Sequence, residues 1–164
     1  LESDVYSLFE FKASLNSIIV PLCTNKDITL NIQIEKDCSF ITDKQKFNQV
    51  FFNLLSNSVK FTEVGGTIDV IAENVSAAEN DTVCFDVIVR DYGCGMSEEF
   101  QKKMFEAFSQ ERNSMTNMNQ GSGLGLAIVK SFVEKMGGTI QVQSSTAKEN
   151  HGTTSSVHFV LPVA

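Results

Sequence analysis

The chain has 164 residues, 42% of them hydrophobic, with 13 Lys and Arg against 20 Asp and Glu and a net charge of −7. That length and composition suit one globular domain with a real core, and the acidic balance excludes a protein that coats nucleic acid, which needs a basic footprint. Cys23, Cys38, Cys84 and Cys94 contain no C-x-x-C pair and the chain has two His, which argues against a zinc site and for reduced thiols in a reducing cytosol.

In chain order, residues 11–23 carry Leu15, Ile18, Ile19 and Leu22 at helical spacing, ending near Pro21 and Thr24. Residues 28–34, "ITLNIQI", alternate with period two and read as a half-buried strand, and "CSFI" as a short one. Asp43 caps a long helix running to about Phe61. "EVGG" is a turn, "TIDVIAENV" a strand, residues 76–81 a polar loop, and "TVCFDVIVRD" a strand rich in β-branched residues. "YGCGMS" is a glycine-rich turn and "EEFQKKMFEAF" a short amphipathic helix. Residues 109–120 are polar and aperiodic, a mobile loop of functional length. Residues 123–136 form a helix closed by Gly137 and Gly138. "TIQVQSS" and "SSVHFVLP" are the last strands, joined through "TAKENHGTT". This order predicts an α+β domain: a two-layer sandwich with about three helices on one face of a mixed, mostly antiparallel sheet. There is no apolar run of about 18 residues and no basic-then-apolar N-terminus. The chain starts with Leu1 rather than Met, so it is expected to be a segment of a longer protein, with a membrane anchor in that parent left open.

Three constellations stand out. On the long helix, Asn53, Asn57 and Lys60 fall within roughly 60° of one another, while Phe47, Phe51, Leu54, Leu55 and Val59 cover the other side. Two Asn on an exposed helix face are unusual by propensity. With Lys60 they suit a hydrated cation and a phosphate, an amide oxygen taking one Mg²⁺ position. Next, Asp91 ends a strand before Gly93 and Gly95. Such an acid can accept from an exocyclic amine, although Asp followed by glycine is commonly just a turn. Finally, Gly121, Gly123 and Gly125 spell G-x-G-x-G at a helix start. The third glycine of a dinucleotide fingerprint would stand where Leu126 does, and no G-x-x-x-x-G-K-[ST] occurs. Two glycines in a first turn cost about 1 kcal/mol each relative to Ala and expose backbone N–H groups that favour an anion.

Taken together, "FNQVFFNLLSNSVKFTEVGG", "VRDYGCGM", "MFEAFSQ" and "GSGLGLAIVKSFVEKMGGTI" resemble, in order, the N, G1, F and G2 boxes of the sensor histidine kinases. The resemblance covers roughly residues 3–163 and is to their catalytic ATP-binding domain, a Bergerat fold shared with gyrase, MutL proteins and a heat-shock chaperone.

The resemblance implies ATP and Mg²⁺ as cofactors. It makes Asn57 the Mg²⁺ ligand and puts Asn53 where gyrase-like ATPases keep a water-activating Glu. An amide cannot be that base, which favours a kinase over a hydrolase. It sends Lys60 to the phosphates, Asp91 to the adenine amino group, and Gly93 and Gly95 against the base. Phe105 and Phe108 match the F box, which anchors the ATP lid, and Gly121, Gly123, Leu124 and Gly125 the phosphate-facing G2 box. Phe105 reads equally well as a plain core aromatic. The γ-phosphoryl group would pass, by positioning and charge neutralisation, to a histidine on an upstream helical dimerisation domain, and from there to a response-regulator receiver. Neither His151 nor His158 sits in an acceptor motif; both read as structural or surface residues. The implied setting is a cytoplasmic domain, monomeric alone, of a homodimeric parent, with no nucleic-acid partner. The lid departs from many relatives: Asn117 stands where they have Arg and Gln120 where they have the first glycine. Neutralisation is then left to Arg112, Lys60 or Lys130. Ser58 replaces a usual Ala, which reads as a small change. Two other readings share the boxes: a nucleotide-binding regulatory module without transfer activity, and a serine kinase of the anti-sigma type.

Overall fold

The computed structural model describes residues 1–106 and 125–164. The chain opens with a short strand that the sequence did not announce, β1 (Asp4–Ser7), whose four residues are too few to show alternation. It pairs antiparallel with β3 (Ser39–Thr42), placing Val5 opposite Ile41. Between them lie α1 (Leu8–Thr24) and β2 (Thr29–Ile34). The Ser7 hydroxyl caps α1 by accepting from Glu10 N at 3.2 Å. The buried stripe of α1 is Leu8, Phe11, Leu15, Ile19 and Cys23, and Ile18 is exposed. Of the expected stripe, Leu15 and Ile19 are buried and Leu22 packs half-buried against the core, while Ile18 falls off the i, i+4 line from Phe11 through Leu15 and Ile19 to Cys23. Pro21 lies inside the last turn, and the helix continues past it to Thr24.

Helix α2 (Lys44–Phe61) begins where Asp43 predicts, the Asp43 carboxylate accepting from Lys46 N at 3.1 Å. The other carboxylate oxygen of Asp43 accepts from Glu2 N at 3.0 Å, and Asp4 accepts from Lys44 N at 3.1 Å. Two carboxylates thus face the positive end of α2. The bonds from Glu2 and Lys46 hold the Asp43 carboxyl below its ordinary value against the opposing effect of burial. Replacing Asp43 with Ala should cost about 1–2 kcal/mol, read as a lower urea midpoint. Because the folded pKa is depressed, the wild-type advantage is complete above the ordinary carboxylate value of 3.8. It should vanish as pH falls through the depressed value.

The main sheet has strand order β2-β4-β5-β7-β6, built with β4 (Thr67–Ala78), β5 (Thr82–Asp91), β6 (Thr139–Ser145) and β7 (Gly152–Pro162). Only β2 with β4 is parallel; the other three pairings are antiparallel. The expected mixed, mostly antiparallel sheet is what forms. Helices α1 and α2 pack with α4 (Gly125–Lys135) and the inner sheet face into one core. The core is largely phenylalanine. Phe47 lies 5.1 Å from Phe11, 5.2 Å from Phe51 and 4.9 Å from Phe159, and Phe40 lies 4.9 Å from Phe85. Such ring pairs add about 0.5–1.5 kcal/mol each beyond their buried area, which gives Phe11, Phe40, Phe47, Phe51, Phe85 and Phe159, six of the 13 Phe of the sequence, a structural use.

Three boundaries differ from expectation. Strand β4 runs on to Ala78 through a register shift between Glu73 and Ser76, with Asn74 at φ 57°. A bulge absorbs the irregularity, so the expected loop of residues 76–81 shrinks to the turn 79–81. Strand β7 starts at Gly152 instead of residue 155. The expected helix 98–108 is one turn, α3 (Glu98–Gln101), followed by three-residue turns from Lys103 N to Phe100 O and from Glu106 N to Lys103 O. Among the described residues of that stretch only Phe100 and Met104 bury, too little to hold a longer cooperative helix through them. The end of α4 matches its glycine signal: Gly138 N bonds Val133 O at 2.9 Å and Gly137 N bonds Glu134 O at 3.0 Å. Residues 107–108, the expected loop 109–120, and positions 123 and 124 of the expected last helix lie outside the described residues.

Candidate nucleotide site

The site is assembled at the C-terminal ends of α2 and β5, against the starts of α4 and β7. Strand β5 alternates buried and half-buried residues throughout, and the alternation delivers Asp91 to the inner face, 5% exposed. Its Oδ1 accepts from Gly93 N at 2.9 Å and from Thr153 N at 3.3 Å, and the Ser58 hydroxyl also hydrogen-bonds the carboxylate. Burial pushes the Asp91 carboxyl up from the ordinary value, and these hydrogen bonds offset part of the rise. Ser58 is itself buried. The sequence reading of Ser58 as a small change is corrected: its hydroxyl touches the acid the site depends on.

Gly93 and Gly95 have a requirement of their own, apart from any ligand. A Cβ on Gly93 would run into the carbonyl of Phe61, the last residue of α2. Gly95 adopts φ +75° and a Cβ there would run into the carbonyl of Ser145 at the end of β6. The turn after Asp91 is therefore wedged between a helix end and a strand end. Lys26 holds the helix end, its ammonium donating to Val59 O at 2.8 Å and Lys60 O at 3.3 Å, where the helix carries partial negative charge.

On the polar face of α2 the two asparagines differ. Asn53 Oδ1 accepts from Gln49 at 3.1 Å, and its amide nitrogen donates to Gly125 O at 3.5 Å. It thereby ties α2 to the first residue of α4 and joins the N-box helix to the end of the glycine run. Asn57 is half-buried and makes no hydrogen bond to another described residue. Its amide oxygen is thus an available acceptor, as a Mg²⁺ ligand needs. Lys60 is half-buried in the last turn. Around Gly125 nothing lies within 4 Å of an added Cβ. Lys130 is engaged elsewhere, 5.4 Å over the Phe105 ring and 3.9 Å from Glu134. Phe105 is half-buried beside it rather than in the core. Phe108, Arg112, Asn117, Gln120, Gly121, Gly123 and Leu124 lie outside the described residues.

The structure thus brings Asn53, Asn57, Ser58, Asp91, Gly93, Gly95 and Gly125 to linked elements. It adds Thr153 and Ser144, which the sequence reading missed. Ser144 Oγ accepts from Met96 N at 2.7 Å and lies 2.8 Å from Thr153 Oγ1. Thr153 is the second residue of β7 and bonds Asp91 across 62 positions of sequence, a pairing that no local periodicity records. His151 Nδ1 lies 2.6 Å from Gly93 O. His158 is on the other sheet face, 2.6 Å from Asp86. Among the described residues no helix is long and apolar enough to cross a membrane.

Residues 42–164 match the family described as histidine kinase-, DNA gyrase B-, and HSP90-like ATPase. The chain is 37% identical over 166 residues to the autoinducer 2 sensor kinase/phosphatase LuxQ of Vibrio harveyi, an alignment covering 99% of this chain and 18% of that protein. The chain thus spans about a fifth of the length of the curated relatives it matches. Among solved structures, full-length ShkA in complex with AMPPNP superimposes with a TM-score of 0.77 at 25% identity, over 100% of this chain and 32% of that one. The mycobacterial sensor histidine kinase MprB shares the fold, with a TM-score of 0.78 at 22% identity, over 99% of this chain and 100% of that one.

Proposed function

We propose that this chain, which belongs to the histidine kinase-, DNA gyrase B-, and HSP90-like ATPase family, binds Mg²⁺-ATP and presents the γ-phosphoryl group to a histidine on an adjacent helical domain of a sensor kinase. The observation that carries this reading is the buried Asp91 carboxylate, oriented by Gly93 N, Thr153 N and Ser58. A buried acid held in one orientation by two backbone donors is built to accept from a fixed partner, and an exocyclic adenine amine fits it. AMPPNP in the complex of the similar ShkA supports an adenine nucleotide as ligand.

Asn57 would hold the Mg²⁺, which would supply charge neutralisation to the phosphates. Lys60, one turn on, would meet the phosphates. Asn53 is committed to Gln49 and Gly125, and as an amide it has no basic site for a water proton. That supports transfer to an acceptor rather than hydrolysis. The chain's contribution is positioning, exclusion of water and charge placement. The acceptor histidine, the partner receiver domain and a homodimeric parent belong to the proposal.

Transfer is tested by mixing the chain with a matching helical His-containing domain and ATP. Acid-labile phosphohistidine on that domain is expected. ATP binding without any phosphohistidine would leave a nucleotide-binding module and overturn the kinase reading. A second measurement addresses the cation. Asn57→Ala should weaken ATP binding about tenfold in Mg²⁺ and by less than twofold in EDTA, since one ligand contact to charge is worth about 1.5–3 kcal/mol. Equal losses in both media would remove Asn57 from the metal.

A further inference from the structure

We infer that His151 is a positioning residue of the nucleotide site: it fixes the Gly93 peptide, and through it the Asp91 carboxylate, by donating Nδ1–H to Gly93 O. The inference rests on the proposed adenine role of Asp91. His151 lies just before β7, in the turn between β6 and β7, 58 residues from Gly93 in sequence, and its Nδ1 is 2.6 Å from the Gly93 carbonyl oxygen. A carbonyl oxygen has no proton to give, so Nδ1 must be the protonated nitrogen. This holds for the neutral ring as for the charged one.

The contact matters because of what the Gly93 peptide already does. Its N–H donates to Asp91 Oδ1 at 2.9 Å. Its Cα is pressed against the Phe61 carbonyl, where no side chain fits. One residue is thus held at its N–H, in the 92–93 peptide, by the acid, at its Cα by the helix end, and at its carbonyl, in the 93–94 peptide, by His151. The same hairpin holds the rest of the turn: Ser144 Oγ takes Met96 N, Gln101 donates to Met96 O at 2.8 Å and to Ser144 O at 3.1 Å, and Thr153 N reaches Asp91 Oδ1. Without the imidazole the Gly93 carbonyl loses its one side-chain anchor among the described residues. The 93–94 peptide plane can then turn about the Gly93 Cα, and because glycine restrains its own φ and ψ least, the Gly93 N–H in the adjoining plane loses its fixed aim at Asp91. The carboxylate stays buried but is no longer held in one orientation, so its bond to the base weakens while the fold persists.

The test uses the full-length protein and three variants, with Mg²⁺-ATP affinity from calorimetry and melting temperature without nucleotide. His151→Leu should bind ATP about tenfold more weakly, the worth of one hydrogen bond of about 1.4 kcal/mol, with the nucleotide-free melting temperature nearly unchanged. His151→Asn places an amide Nδ2 near the position of Nδ1 and should restore affinity to within about twofold, as expected for a retained donor. Phosphoryl transfer at saturating ATP should be the same in all His151 variants, because the change is in ATP affinity. Asp91→Asn separates the two levels of the argument. If wild type binds ATP and Asp91→Asn does not, but His151→Leu matches wild type, the His151 inference is overturned and the site reading stands. Equal losses in Leu and Asn variants together with a lowered melting temperature would likewise overturn it, leaving His151 a purely structural residue. If wild type itself fails to bind ATP, the site reading falls and the inference with it.

Discussion

Asp91→Asn should weaken ATP binding by about 100-fold or more while leaving the domain folded. The carboxylate is 5% exposed and its Oδ1 serves Gly93 N and Thr153 N. In the variant the amide oxygen must take that place, since both backbone groups are donors. The other terminal atom becomes an NH₂, and the Ser58 hydroxyl can turn to accept from it. Nothing is left unpaired in the protein, but the atom that received the adenine amine now opposes it with a donor. Sites built around such a polar contact discriminate by about 10⁴ or more when the match is lost, so 100-fold is a conservative expectation. Inosine triphosphate, which offers a carbonyl at that position, should lose less. Asp91→Ala should also abolish binding, but less cleanly, because it strands buried donors at roughly 1–3 kcal/mol each. Calorimetry decides: unchanged ATP affinity in Asp91→Asn would remove Asp91 from the base.

The same acid gives opposite pH signatures for binding and stability. Burial raises its folded pKa, so the charged form is the costly one in the fold. The stability this group contributes is greatest below the ordinary value of 3.8 and declines as pH rises through the raised one. ATP affinity, which needs the ionised acceptor, should decline in the other direction. It should be lost on acidification at a pH above that at which an ordinary aspartate protonates.

Gly95→Ala should be the most destructive single-methyl change at the site, lowering stability on the order of 2–4 kcal/mol. Left-handed backbone costs a non-glycine residue about 1–2 kcal/mol, and forced overpacking adds about 1–3. Gly95 incurs both, at φ +75° and against the Ser145 carbonyl, a backbone atom that cannot step aside. Gly125→Ala is the contrast. Its added methyl meets no described residue within 4 Å, and at a helix start Ala is intrinsically favoured. The fold should be unharmed there, so any loss of ATP affinity in Gly125→Ala reports the ligand's own approach to the backbone. Urea midpoints with and without ATP separate the two cases. A Gly95→Ala protein as stable as wild type would show that the turn relaxes away from β6.

Membership of the histidine kinase-, DNA gyrase B-, and HSP90-like ATPase family was legible in the sequence through the resemblance of four boxes in order, and the elements that carry those boxes were legible through local rules. Asp43 as a cap, the Phe47, Phe51 and Leu54 stripe of α2, the alternation of β5 and the glycine pair after Lys135 are short-range signals. The structure reproduces each of them. Strand β1 escaped because four residues have no period to detect, and the extension of β4 because a bulge at Asn74 breaks its alternation.

What the sequence determined by itself was the inventory: an acid at a strand end, an asparagine face on a helix, and glycines where the chain must turn or bare its backbone. Those follow from propensity and periodicity, which act over a few residues. Only the tertiary structure decided which of them work together. It spent Asn53 on Gly125 and left the Asn57 side chain without a hydrogen bond to another described residue. It gave Gly93 and Gly95 a reason in Phe61 and Ser145, independent of any base. It also turned Ser58, Thr153 and His151 into partners of Asp91 and its turn. Those contacts join positions more than thirty residues apart, and sheet registry and helix packing set them, neither of which a local pattern records.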